Sequence, residues 1–153
     1  MLMAARRFAA ALFACLALSS AGCGSNNTGK IVGKWKLLSA PGFTPEEFKV
    51  LESFRAYPCL EFKQDGSVVA GPEFTDPALK EFFVKSVDKN DLSKTGSYKL
   101  LSGDNVEISG IPDVQKGGGL FGSSDSGRVK VAIEGDIMTI TAENGTAQLT
   151  RVK

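Results

Sequence analysis

Few residues in this chain are of a type and spacing that could do chemistry. There are three cysteines, Cys15, Cys23 and Cys59, some neighbouring carboxylates and one glycine-rich run, and there is no histidine. Without histidine there is no Ser-His-Asp or Cys-His nucleophilic site, no imidazole metal site and no ordinary general base near neutral pH. Glu46-Glu47 and the Asp88/Asp91 pair are adjacent acids, whereas glycoside chemistry needs two carboxylates held across a cleft. Asp88-Lys89-Asn90-Asp91 is too sparse for a calcium loop, which places oxygen ligands at alternating positions and closes on a Glu. Gly117-Gly118-Gly119-Leu120-Phe121-Gly122 lacks the Lys-Ser/Thr of a phosphate-binding loop and reads as a long hairpin loop. Leu120 and Phe121 are unusual at such a tip and could meet a partner or a membrane surface. Cys59 has no partner cysteine after export and reads as a packed or partly exposed strand residue. The expectation is a chain that is not an enzyme, with no catalytic residue, no metal site and no cofactor.

Cys23 is different, because of what precedes it. Arg6 and Arg7 are followed by eleven uninterrupted apolar residues, 8–18, and then by Ser19, Ser20, Ala21 and Gly22. A basic start, a short apolar run and small residues are the layout of a secretory signal peptide; a spanning helix needs about 20 apolar residues. Ser20-Ala21-Gly22-Cys23 resembles the box cut by the lipoprotein signal peptidase, although Ser20 stands where Leu is usual. Cys15 offers a competing match, Leu12-Phe13-Ala14-Cys15, but it leaves an apolar core of five residues and a bulky Phe13 before the cut. The expected product begins at a Cys23 carrying a diacylglyceryl thioether and palmitate-type acyl chains, which anchor a protein without a spanning helix. Residues 23–30 are then expected to form the lipidated cysteine and a flexible tether, and residues 31–153 the folded domain.

Removing residues 1–22 takes two arginines from the 18 basic and 17 acidic residues, leaving 16 and 17, a net charge of −1. The signs are interspersed, so no basic footprint for nucleic acid is present. The expected partner is a membrane, reached through the lipid. Gly24 is not the aspartate that retains many diderm lipoproteins at the inner membrane. An exported protein on the cell membrane or the outer membrane is expected, at the periplasmic face in a diderm host.

The elements that would position these groups are short and mostly β. Ile31–Leu38 alternates, with Ile31, Gly33, Trp35 and Leu37 on one parity. Thr44, Pro45, Glu46 and Glu47 open a helix whose Phe48, Leu51 and Phe54 share a face and close one end of the domain. Strands are expected at Cys59–Lys63 and Ser67–Ala70 around an Asp65-Gly66 turn. A second helical stretch begins at Asp76-Pro77 and carries Leu79, Phe82 and Phe83. Five further strands follow, at Gly96–Leu101, Val106–Ile111, Arg128–Glu134, Ile137–Ala142 and Thr146–Val152, with turns at 102–105, Gly135-Asp136 and Asn144-Gly145. Eight strands joined by hairpins hide their edges by closing. The expected fold is all-β, an eight-stranded antiparallel up-and-down barrel with one or two short helices in its N-terminal half.

Gly33-x-Trp35, Leu60-x-Phe62-Lys63-x-Asp65-Gly66-Ser67, Gly96-x-Tyr98, Gly135-Asp136 before Met138-Thr139-Ile140, and Ala147–Val152 together resemble the bacterial lipocalin-like families. The resemblance covers most of residues 31–152 through short, turn-driven motifs. It implies that Trp35 closes one end of the barrel and that Arg151 packs across it. It also implies a binding module for a small apolar or amphipathic ligand, lined by Trp35, Phe62, Tyr98, Val131, Ile133, Met138 and Ile140. An eight-stranded barrel is also narrow enough to be filled by its own side chains. The alternative is therefore a filled barrel that inhibits or scaffolds an envelope protein through its loops.

Overall fold

The computed structural model describes residues 26–88, 92–111 and 126–153. Ten elements follow one another: β1 (Gly33–Ser39), α1 (Pro45–Ser53), β2 (Ala56–Phe62), β3 (Ser67–Phe74), α2 (Pro77–Ser86), β4 (Lys94–Leu100), β5 (Asn105–Ser109), β6 (Ser126–Glu134), β7 (Ile137–Ala142) and β8 (Gly145–Arg151). Each strand pairs antiparallel with the next, and β8 pairs back onto β1, so the eight strands form a closed barrel. The expected fold class is the observed one, including two helices in the N-terminal half.

Closure removes the free edges of the barrel proper, and the alternation in sequence then decides what points inward. Val129 and Val131 of β6, Met138 and Ile140 of β7, and Ala147 and Leu149 of β8 are all buried and belong to one apolar cluster with Trp35, Leu37, Leu60, Phe62, Val68, Val106 and Ile108. On β4 the alternation is weaker in sequence, but the register settles it. Ala70 pairs Lys94 and Val68 pairs Gly96, so Lys94, Gly96, Tyr98 and Leu100 take the inward parity. Gly96 is required there, because a Cβ would collide with the Ser109 carbonyl and the Ile111 side chain.

Two strands run further than their sequence suggests. β2 and β3 stay paired through Pro58↔Pro72 to Ala56↔Phe74. A proline donates no ladder hydrogen bond and is normally kept from central strands. Here β1 pairs β2 only as far as Cys59, and β4 pairs β3 only as far as Ala70. Both prolines therefore lie on a two-stranded ribbon that projects past the barrel, where no outer neighbour needs their N–H.

The two ends of the barrel differ. One end carries the tight turns at 63–66, 101–104 and 135–136. The other carries α1, α2, the β5–β6 connection and the 143–144 turn. Thr44 caps α1 in a reciprocal capping box with Glu47, and Asp76 caps α2 through the Ala78 N–H. Neither helix contains a fully buried residue. Phe43 and Phe48 pack against the barrel core, whereas Phe54, expected on the same packed face, is 48% exposed. Its ring instead meets Phe83 of α2 edge-on at 5.9 Å, and Phe83 stacks on Phe74 of the projecting ribbon at 5.0 Å. Among the described residues no helix is long and apolar enough to cross a membrane.

Candidate functional site

Residues 26–32 cross the turn-bearing end as a strap. The expectation of a flexible tether as far as Lys30 differs from what the strap does. The Asn26 N–H donates to the Gly103 carbonyl at 3.0 Å, and its Nδ2 donates to Asp104 Oδ1 at 2.9 Å. Asn27 is 2% exposed, and its Nδ2 donates to the Val131 carbonyl at 2.7 Å. Ile31 is completely buried in the core. A buried amide left without partners is costly, so these bonds fix the strap as well as occupy it.

Trp35 sits beneath the strap, fully buried, and its Nε1 donates to the Ile31 carbonyl at 2.8 Å. The Arg151 guanidinium lies over the indole, 4.1 Å from the ring centroid. Its nitrogens donate to the Val32 carbonyl at 3.0 Å and the Lys30 carbonyl at 2.6 Å. One side chain thus ties the last strand to the strap and caps the first-strand ring. Gly33 makes room for it. Its φ of 133° is one that side-chain-bearing residues rarely adopt, and a Cβ there would lie 2.8 Å from Arg151 Nη1. The expected pairing of Trp35 with Arg151 is present, and β1–β8 register places the two directly opposite each other.

The other expected lining residues divide unevenly along the barrel. Phe62 ends β2 beside the 63–66 turn and meets Tyr98 edge-on at 5.1 Å, while the Tyr98 hydroxyl donates to the Lys63 carbonyl at 2.7 Å. Ile133 and Met138 pair across the Gly135-Asp136 hairpin, and Val131 lies under Asn27. These side chains floor the strapped end together with Trp35. Ile140 pairs directly opposite Val131. The half of the barrel toward the helical end holds the small inward residues Ala70, Gly96, Ala142 and Ala147 and the half-buried Lys94, interleaved with the larger buried Leu37, Ile108 and Val129. Sequence reasoning missed the small residues and Lys94 because it selected for size and aromaticity. The signal available was the parity of Lys94 with Tyr98.

A second feature lies outside the barrel. Lys34, Cys59, Glu73, Phe74, Lys80 and Leu92 help line a groove of about 200 Å³ beneath α2. Glu73 bridges two amines, Lys34 at 3.1 Å and Lys80 at 3.0 Å. Burial works against its charge, but the bonds to Lys80 and Lys34 prevail and hold the carboxyl below its ordinary value. Cys59 points outward yet is buried, and burial pushes its thiol up, so it is protonated near neutral pH. A neutral thiol beside a satisfied ion bridge is a poor nucleophile, in line with Cys59 as a packed strand residue. Among the described residues no group of Cys, Asp and Glu is placed to hold a metal ion. Lys89, Asn90, Asp91 and the 117–122 run lie outside the described residues.

These groups contribute to the pH dependence of folding. Burial also raises the phenols of Tyr57 and Tyr98. Raised Cys and Tyr values mean that the folded chain keeps protons that the unfolded chain releases. Stability from these groups is intact below about pH 9 and falls as pH rises through their folded values. Glu73 has the opposite sign, its share being present above its ordinary 4.5 and lost as pH falls through the lowered value. Urea midpoints measured from pH 3 to 11 are expected to show a plateau between these limits. A Cys59→Ala variant should lose part of the alkaline decline, and an unchanged decline there would remove Cys59 from the explanation.

No protein-family model matches the chain, and no curated protein matches it.

Proposed function

We propose that the chain is a membrane-anchored lipoprotein of the cell envelope, lipidated at Cys23, whose barrel is a non-enzymatic binding module for a small apolar or amphipathic ligand. The observation that carries this reading is the asymmetry of the barrel. One end is sealed by the strap and the Trp35–Arg151 pair. The long connections gather at the other end, over an inward surface that is apolar except for Lys94. A barrel of this strand number has room for its own side chains or one small ligand, and the end away from the strap is the one by which a ligand would enter.

A second reading, a filled barrel that works through its surface, is favoured by two observations. Phe43, Phe48 and Ile111 already pack on the core at the helical end. Phe82 of α2 is 62% exposed and, like the half-exposed Phe54, meets the ring of Phe83 edge-on, and clustered exposed apolar side chains mark interaction surfaces more often than single ones do.

Native mass spectrometry of the mature protein, released from its own envelope in mild detergent, separates the two. A reproducible adduct beyond the lipid anchor is expected, and its mass begins to identify the ligand. Ala70→Trp, which fills the half near Lys94, is expected to abolish the adduct while leaving the circular dichroism unchanged. A bare lipoprotein mass in several preparations would sink the ligand reading and leave the surface reading standing.

A further inference from the structure

The position of the strap fixes how an anchored barrel stands. Asn26 is bonded to Gly103 and Asp104 in the β4–β5 turn, and Asn27 is inserted beneath it against Val131. Only Gly24 and Ser25 separate Asn26 from Cys23. Three Cα-to-Cα steps span at most about 11 Å even when fully extended. A seven-residue strand such as β8 runs about 23 Å at ~3.3 Å per residue, or about 18 Å along the axis at a tilt of ~40°. The slack in the tether is therefore shorter than the barrel.

We infer that the strapped end of the barrel lies against the membrane surface and that the helical end faces away from it. This rests on lipidation at Cys23, as proposed above. The tether alone is enough to set the orientation. Exposed charges of both signs, such as Lys63, Lys99 and Lys153 with Asp65, Asp104 and Asp136, populate the strapped end, so no net field pins it to lipid or repels it. The partner surface is accordingly a phospholipid head-group layer of either charge.

Two consequences follow for function. The route between the barrel interior and its own bilayer is blocked by the strap, so anything entering the barrel comes from the aqueous side at the helical end. The exposed Phe54 and Phe82, and the roots of the β5–β6 connection at Ile111 and Ser126, point away from the anchoring membrane.

The test uses the full mature lipoprotein in phospholipid vesicles whose head groups carry a nitroxide quencher. In a Cys59→Ala background, fluorophores are placed at Gln64→Cys in the 63–66 turn and at Glu143→Cys in the 143–144 turn, both exposed positions at opposite ends. The Gln64 label is expected to be quenched several-fold more than the Glu143 label, equally in zwitterionic and anionic vesicles. Inserting about twenty Gly/Ser residues between Ser25 and Asn26 lengthens the flexible reach to roughly 25 Å and is expected to reduce the difference toward none. Equal quenching, or stronger quenching at Glu143, in protein whose mass shows the lipid on Cys23 would overturn the orientation alone. A mature mass without lipid on Cys23 would overturn both the orientation and the lipoprotein reading beneath it.

Discussion

Trp35→Ala is expected to remove most of the stability of this domain. Truncating a buried Trp costs about 3–5 kcal/mol in lost burial and cavity formation. The same change orphans the Ile31 carbonyl, which now accepts from the indole N–H at 2.8 Å; an unsatisfied buried carbonyl costs a further ~1–3 kcal/mol. It also removes the ring beneath Arg151, a contact worth roughly 0.5–2 kcal/mol depending on desolvation. Domains of this size are stable by about 5–15 kcal/mol in total, so the sum is comparable to the whole. Urea unfolding followed by far-UV circular dichroism measures it, since the chain has no second Trp to report by fluorescence. Trp35→Phe keeps much of the bulk and loses the N–H, and should fall between wild type and alanine. A Trp35→Ala midpoint no lower than that of the exposed Phe82→Ala would show that the strap and ring do not close the barrel energetically.

Cys23→Ala is expected to move the protein from the membrane fraction to the soluble fraction almost completely. Each buried acyl methylene contributes about 0.8 kcal/mol, and stable anchoring takes two chains or more. The described residues contain no apolar helix of spanning length to substitute for the lipid. Cys15→Ala is the matched control, because it removes the competing cysteine and leaves the Ser20-Ala21-Gly22-Cys23 box untouched. It should leave fractionation and the mass of the mature protein unchanged. If Cys15→Ala releases the protein and Cys23→Ala does not, the cut lies eight residues earlier and the two-residue spacer before Asn26 no longer exists. The orientation of the barrel would then lose its basis along with the assignment of the anchor.

The barrel itself was legible in the sequence because its determinants are local. Alternation along Val129-x-Val131 and Met138-x-Ile140, and the turns at Asp65-Gly66, Gly135-Asp136 and Asn144-Gly145, act within a few residues. Gly33, Trp35 and Arg151 were legible through the resemblance, and the structure supplies the reason for their company: the guanidinium needs the space that a Cβ at residue 33 would take. The long reach of β2 and β3 was not legible. Pro58 and Pro72 argue against strand by themselves, and only the ending of β1 and β4 pairing shows that their missing N–H groups face no neighbour.

The candidate site divides in the same way. Composition and pattern determined an apolar interior and the absence of histidine, and they are the basis on which a lipid box is proposed at Cys23. Tertiary structure alone decided which inward residues lie at which end. It put Trp35, Phe62, Tyr98 and Met138 on a sealed floor and Lys94, the first residue of β4, toward the helices. It also buried Cys59 on the outer face, under α2 rather than in the barrel. Above all it turned Asn26–Lys30 from a polar tether into a strap. Nothing local distinguishes those residues from a linker, because their partners Gly103, Asp104 and Val131 are far away in sequence and come within hydrogen-bonding distance only once the barrel has closed.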